Sequence, residues 1–239
     1  MPVIKFHPFT DVTSDFAEAP KPAAKHMPEW YREQPSQTPG KTNLNAGVVA
    51  TTIKKCMPVF DVTVAGYVLA APCDIYVNST DPNKLVYSIP EHIRQFKGDL
   101  FSTHAAEQYS EYPIDLNRYH KDLLRIQPFW SVGTPEGYST MFANPFHRPS
   151  PLFAFSAIID TDAFVSEGHL SFLVEKDFDG IIKQGTPLVQ VIPFKREEWT
   201  SEVLTEAQAL PILKKQRLSL RSVFSNAYKN KFRSKKDYK

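Results

Sequence analysis

Glycine is scarce in this chain, 9 of 239 residues, while proline reaches 20. With few positions for turns of positive φ, the connections are expected to be long irregular segments fixed by proline. Cysteine is scarcer still. Cys56 and Cys73 are the only two, and neither sits in a CxxC or CxxH spacing, which argues against a structural zinc site. A disulfide between them stays open on sequence grounds; two buried thiols in a reducing compartment are the plainer expectation. No apolar run approaches the ~18–20 residues that span a bilayer. The opening residues, Met1-Pro-Val-Ile-Lys-Phe-His-Pro8, hold no apolar region of a signal peptide. Nor is there a P-loop, a GxGxxG or a serine nucleophile elbow, so ATPase, Rossmann and lipase readings have no support. A soluble, cytoplasmic protein with no membrane partner is expected.

What is present is material for a core. Hydrophobic residues make up 42%, aromatics 13% and charged residues 23%, the composition of a folded chain of one or two domains. Net charge is +2, too near neutrality to argue for nucleic acid by itself. Its distribution is more informative. Lys214, Lys215, Arg217, Arg221, Lys229, Lys231, Arg233, Lys235, Lys236 and Lys239 face a single acid, Asp237, so everything before them is net acidic. Such a basic tail suits nucleic acid, an acidic protein partner, an assembly arm or a solvated end.

Three regions follow from the pattern. Residues 1–48 form a Pro-rich arm, punctuated by Pro20, Pro22, Pro28, Pro35 and Pro39, with a short helix expected within Ala23–Glu33. Trp30 and Tyr31 are its expected anchors, and Ser36–Asn45 reads as a loop. Residues 49–199 form a β-rich core, with an insertion at about 90–122. Its strands are expected at Val49–Met57, Val62–Leu69, Cys73–Val77, Leu85–Ile89 and Leu124–Val132, then at Tyr138–Phe142, Phe153–Ile159, His169–Val174, Gly180–Ile182 and Leu188–Phe194. The Val59–Val64 stretch equally suits the end of a helix. Short strands at this spacing indicate a barrel or a sandwich. Residues 200–239 are a basic helix and tail. There Leu213, Leu220, Val223, Phe224, Ala227 and Tyr228 recur at helical spacing, a stripe expected to pack on the body, and Pro211 interrupts the start.

Two further features suggest chemistry. His120-Lys-Asp122 has the H-x-D spacing of facial-triad iron oxygenases, and His169 could supply a third ligand for Fe(II) in a jelly-roll-like sandwich. Against it, the triplet lies in a helix-like or loop-like stretch. The loop Asn144-Pro-Phe-His-Arg-Pro-Ser-Pro151 offers His147 and Arg148 to an anionic ligand. The alternative is a proline-fixed loop whose Arg148 pairs with Asp160 or Asp162.

Thr134-Pro-Glu-Gly-Tyr138, then Ala157-Ile-Ile-Asp-Thr-Asp162, then Ile182-Lys-Gln-Gly-Thr-Pro-Leu-Val-Gln-Val191 resemble, in order and spacing, the motifs of trimeric dUTPases. The resemblance covers about a quarter of the chain. It implies a distorted β-barrel of the dUTPase type and a homotrimer. It also implies Asp160 as the water-activating general base, Gln190 in the final strand near the nucleotide, and Mg²⁺ as cofactor if nucleotides are hydrolysed. The departures fall on the chemistry. Ala163 stands where an aromatic lies under the sugar, and Val68 stands where the metal-side carboxylate belongs. Asn144–Ser150 replaces the phosphate-cradling arginine motif. The stretches Pro22–Tyr31 and Gly185–Arg196 are also similar to an uncharacterised family of tailed-phage proteins, which implies a viral origin, in host cytoplasm or virion.

Two functions are therefore expected to compete. One is a non-catalytic interaction or assembly protein without a cofactor. The other is a nucleotide-binding or nucleotide-hydrolysing enzyme with Asp160 as base and His147, Arg148 and Gln190 around the substrate. Fe(II)-dependent oxygenation through His120, Asp122 and His169 ranks third.

Overall fold

The computed structural model describes residues 1–11, 13–43, 48–96, 100–165, 169–220 and 228–239. Two compact units form. The first, the strand body, joins Met1–Pro28 to Thr63–Arg196; the second joins Glu29–Val62 to Glu197–Lys239. This division differs from boundaries at residues 48 and 199, because the first 28 residues enter the sheets of the body.

Short apolar and β-branched runs make the strand body mainly β, and every strand pairing in it is antiparallel. A five-stranded sheet has the order Ala157–Ile159, Tyr138–Ala143, Pro187–Lys195, Tyr67–Ala70, Lys21–Pro22. A four-stranded sheet runs Leu152–Ala154, Leu170–Val174, Leu123–Ile126, Phe101–His104, and a three-stranded one Asp179–Ile182, Ile75–Asn78, Val86–Ser88. Lys5–Pro8 pairs with Trp130–Gly133 as a ribbon. Among the described residues no sheet closes on itself, so the expected barrel is replaced by several open sheets. They share one core. Ile75, Leu124, Ile126, Phe172, Val174 and Val191 are at most 1% exposed; burying each stabilises the fold by roughly 1.5–3 kcal/mol.

The long strand Pro187–Lys195 is the spine of the five-stranded sheet. Leu188, Val189, Gln190 and Val191 are all buried, as expected of an apolar run covered on both faces. Two glycines permit its surroundings. Gly185 has φ +82° in the turn before it, a conformation that glycine adopts without steric cost. Gly66 has φ +66°, and a Cβ on it would stand 2.0 Å from the Val191 carbonyl oxygen.

Expected strands break where physics requires it. Leu124–Val132 divides at Pro128, which has no N–H to donate to a ladder. Phe153–Ile159 divides into two strands of different sheets. Val49–Met57 is a strand only over Val48–Thr51 and then turns into a 3₁₀ segment, Ile53–Lys55. Val62–Leu69 starts as the end of the helix Met57–Thr63, and its strand is Tyr67–Ala70. The insertion supplies the helix Glu91–Phe96 and an unforeseen edge strand, Phe101–His104, paired with Leu123–Ile126. The arm is woven into the body: Ala17 and Ala23 are buried, and Trp130 Nε1 donates to the Ala17 carbonyl at 3.3 Å.

In the second unit, Gln37–Asn43 pairs with Val48–Thr51, so a strand replaces much of the loop expected over residues 36–45. Tyr31 anchors the helix Glu29–Glu33 as foreseen: it is 5% exposed and donates its hydroxyl to the Lys54 carbonyl at 3.0 Å. Trp30 is exposed instead. The C-terminal helix Glu206–Leu220 opens with a capping box. Thr205 N donates to Gln208 Oε1 at 2.9 Å, and Gln208 N donates to Thr205 Oγ1 at 3.4 Å. Pro211 lies inside this helix rather than ending it. Of the expected packed stripe, Leu213 and Tyr228 are exposed, while Val223, Phe224 and Ala227 lie outside the described residues. No helix among the described residues is long and apolar enough to cross a membrane. Both cysteines are free; Cys73 is buried, its thiol pushed up to about 11 by desolvation, whereas Cys56 is exposed.

Candidate functional site

Asp160 and Asp162 sit on the turn that follows Ala157–Ile159. The Asp160 carbonyl accepts from Ala163 N at 3.1 Å and Phe164 N at 2.9 Å, which closes the turn. The Asp160 carboxylate accepts from Ser139 Oγ at 2.6 Å and from Arg196 Nη1 at 3.3 Å. Asp162 is the more deeply held. Its Oδ1 accepts from Arg196 Nη1 at 2.9 Å and its Oδ2 accepts from Arg196 Nη2 and from Gly137 N. The Arg196 guanidinium, first, and the Gly137 amide hold this carboxyl at about 2, well below the ordinary range. The cation expected to be Arg148 is therefore Arg196, from the end of the final strand. Behind the turn, Thr161 Oγ1 lies 2.7 Å from Thr134 Oγ1 and 2.8 Å from Thr140 Oγ1, a hydroxyl chain joining three segments.

Arg148 does something different. Its Nε donates to the His26 carbonyl at 2.9 Å; Nη1 donates to the Phe146 carbonyl and Gln190 Oε1, both at 3.2 Å; Nη2 donates to the Ala23 and Thr63 carbonyls, both at 3.2 Å. All five N–H groups are thus engaged, without a carboxylate. Desolvation pulls the guanidinium down to about 10. Burial, then the neighbouring Arg148 and Lys21 charges, also lowers His26. Gln190 completes the knot. It is fully buried, accepts from Phe146 N at 3.2 Å and donates Nε2 to the Ala65 carbonyl at 2.6 Å. A buried amide in an apolar strand must find such partners or cost roughly 1–3 kcal/mol. His147, beside them, is exposed and holds φ +58°, an uncommon left-handed conformation for a non-glycine residue.

These groups do not converge within one chain. Ser139, which holds Asp160, pairs with Phe194, and Ala143 pairs with Gln190. The two ends are four residues apart on the same strand, about 13 Å at ~3.3 Å per residue. Asp160 stands at one end with Arg196; Gln190 and Arg148 stand at the other.

His120 and Asp122 also have structural duties. The His120 ring is buried; its Nδ1 accepts from Asp122 N at 3.0 Å, so its Nε2 is assigned as donor to the Asp81 carbonyl at 3.0 Å. Asp122 Oδ1 accepts from Ala106 N at 3.3 Å. Both nitrogens are thus engaged by the backbone, so in this arrangement the His120 ring is not presented as a metal ligand. At the position implied for a Mg²⁺ carboxylate, Val68 is 1% exposed in the five-stranded sheet, so the residues there do not fit the ion.

Sequence reading missed Arg196 and Ser139. A signal existed for Arg196, since antiparallel pairing of the two strands around Tyr138 and Lys195 brings the next residue to the aspartate turn. The hydroxyl ladder of Thr134, Thr140 and Thr161 had none, because its members are contiguous only after the sheet forms. A scan of protein-family models finds none that matches this chain, and a search of curated proteins finds no match either.

Proposed function

We propose that this protein is a non-catalytic assembly protein whose C-terminal segment docks on a second copy of the chain. The observation that carries the reading is the run after the strand body. Trp199 is 86% exposed and Val203 96%, and the helix Glu206–Leu220 leaves Leu210, Ile212 and Leu213 in solvent. Apolar side chains left on one segment in this number mark a surface meant to be covered. The charge pattern favours a second copy as the cover: exposed Lys214, Lys215 and Arg217 follow these residues, while everything before Lys214 is net acidic. The occupation of Arg148 by backbone carbonyls supports the same reading, because it removes the main anion-binding candidate. The resemblance to trimeric dUTPases favours a trimer with a related body fold, in a cytoplasmic or virion setting. Nucleic acid or an unrelated acidic protein on the basic segment is the competing partner.

Light scattering tests this. The full chain at tens of micromolar is expected to show a multiple of the 27.2 kDa mass, and the double variant Ile212→Asp, Leu213→Asp a single mass. A single mass for the unaltered chain sinks the reading. One observation keeps the nucleotide reading as second. The Asp160 side chain is 63% exposed beside Arg196, so an edge of it can meet a substrate. Calorimetric titration with deoxynucleotides and Mg²⁺, repeated on Asp160→Ala, decides that case; no heat at high micromolar concentration removes it.

A further inference from the structure

The strand body holds a cavity of about 150 Å³ in which no group of the Arg148 knot or the Arg196 pair takes part. Its walls come from three sheets. Phe142 and Ile159 belong to the five-stranded sheet, Leu170 to the four-stranded sheet, and Trp130 and Val132 to the ribbon; Phe155 adds a further ring. Ser131, Thr161, His169 and Ser171 supply a minor polar share. The Thr161 hydroxyl is already shared with Thr134 and Thr140. Phe164 and His169 line the cavity and are both exposed, so it opens to solvent on their side.

Size and lining together define a guest. A mostly apolar cavity of about 150 Å³ matches one benzene-sized ring in size. A nucleotide, with base, sugar and phosphates, needs several times that space. Rings in the wall favour a ring in the cavity, through edge-to-face and offset contacts. Among the described lining residues His169 is the only titratable group, so these residues call for no charged ligand. We propose that this cavity is a binding site for a neutral, single-ring aromatic molecule. It is independent of assembly, since every wall belongs to the strand body of one chain.

Trp130 reports on the site directly. In a Trp30→Phe, Trp199→Phe background it is the only indole left, and titration with toluene or phenol is expected to change its emission saturably. The dissociation constant should be on the order of 0.1–1 mM for so few atoms. Ala157→Leu, which fills the cavity from its rim, is expected to weaken binding at least ~10-fold, about 1.4 kcal/mol. A second measurement uses the unaltered chain. The ¹⁹F line of fluorobenzene should broaden with protein and sharpen again when toluene is added. Emission that does not saturate, equal affinity in a folded Ala157→Leu variant, or fluorobenzene broadening that toluene does not relieve would each overturn the proposal.

Discussion

In the strand body, Arg148 spends five N–H groups on four backbone carbonyls and the Gln190 amide, and Asp162 binds both terminal nitrogens of Arg196. In the second unit, the helix Glu206–Leu220 leaves Leu210, Ile212 and Leu213 in solvent, while Asp61 and Arg233 form a deeply seated ion pair elsewhere in the unit. Polar groups closed off on one side and apolar groups left open on the other teach where each region's interactions are directed. In the first, the Arg148 and Asp162 networks are satisfied by groups of the strand body itself. In the second, Leu210, Ile212 and Leu213 are left exposed on one helix.

Breaking the closed network should have the largest effect. Arg148→Met leaves the Ala23, His26, Thr63 and Phe146 carbonyls short of a donor inside the body. A loss of about 3–5 kcal/mol is expected in urea unfolding. Arg148→Lys should restore little, since an ammonium cannot reach the spread of acceptors that a planar guanidinium spans. A loss below about 1 kcal/mol would mean that the knot is ornamental.

Asp61 is the corresponding test of the second unit. Its Oδ1 accepts from Arg233 Nη2 at 2.7 Å and its Oδ2 from Lys236 Nζ at 3.3 Å, while Arg233 also lies over the Phe60 ring at 5.5 Å. These bonds, with Arg233 foremost, hold the Asp61 carboxyl below its ordinary range. Asp61→Asn is expected to speed tryptic cleavage near Lys229 and Lys231 several-fold. Cleavage within the strand body should not change. Equal acceleration in both regions would contradict the division.

The smallest effect is a pH segment. The Asp162 carboxyl is depressed to about 2 when folded, against an unfolded value of about 3.9. Its stabilisation is therefore present above pH ~4 and lost as pH falls toward 2. Asp162→Asn should flatten that segment of the stability–pH curve and leave the region above pH 5 parallel to the unaltered chain. An unchanged acid slope would show that Arg196 does not hold this group in solution.

The sequence made the closing turn at Gly185, the strands Tyr138–Ala143 and Pro187–Lys195 and the C-terminal helix legible, because periodicity and turn chemistry are local. It misjudged partners. Arg148 reads as a ligand clamp because an arginine in a proline loop looks alike whether it meets phosphate or carbonyl oxygens. His120-Lys-Asp122 reads as a metal triplet because ring orientation is not written in spacing. The barrel expectation came from strand spacing and motif order, and open sheets satisfy both as well. The strand Phe101–His104 was hidden because it lies at an edge, with only Phe101 fully buried.

On the proposed reading, the helix Glu206–Leu220 gains its cover from another copy of the chain. Amide hydrogen exchange of that helix, followed from sub-micromolar to about 100 micromolar protein, tests it most directly. Protection that rises with concentration, while exchange in Pro187–Lys195 stays constant, is the expected result. Exchange in the helix that is equally fast at every concentration would contradict the account.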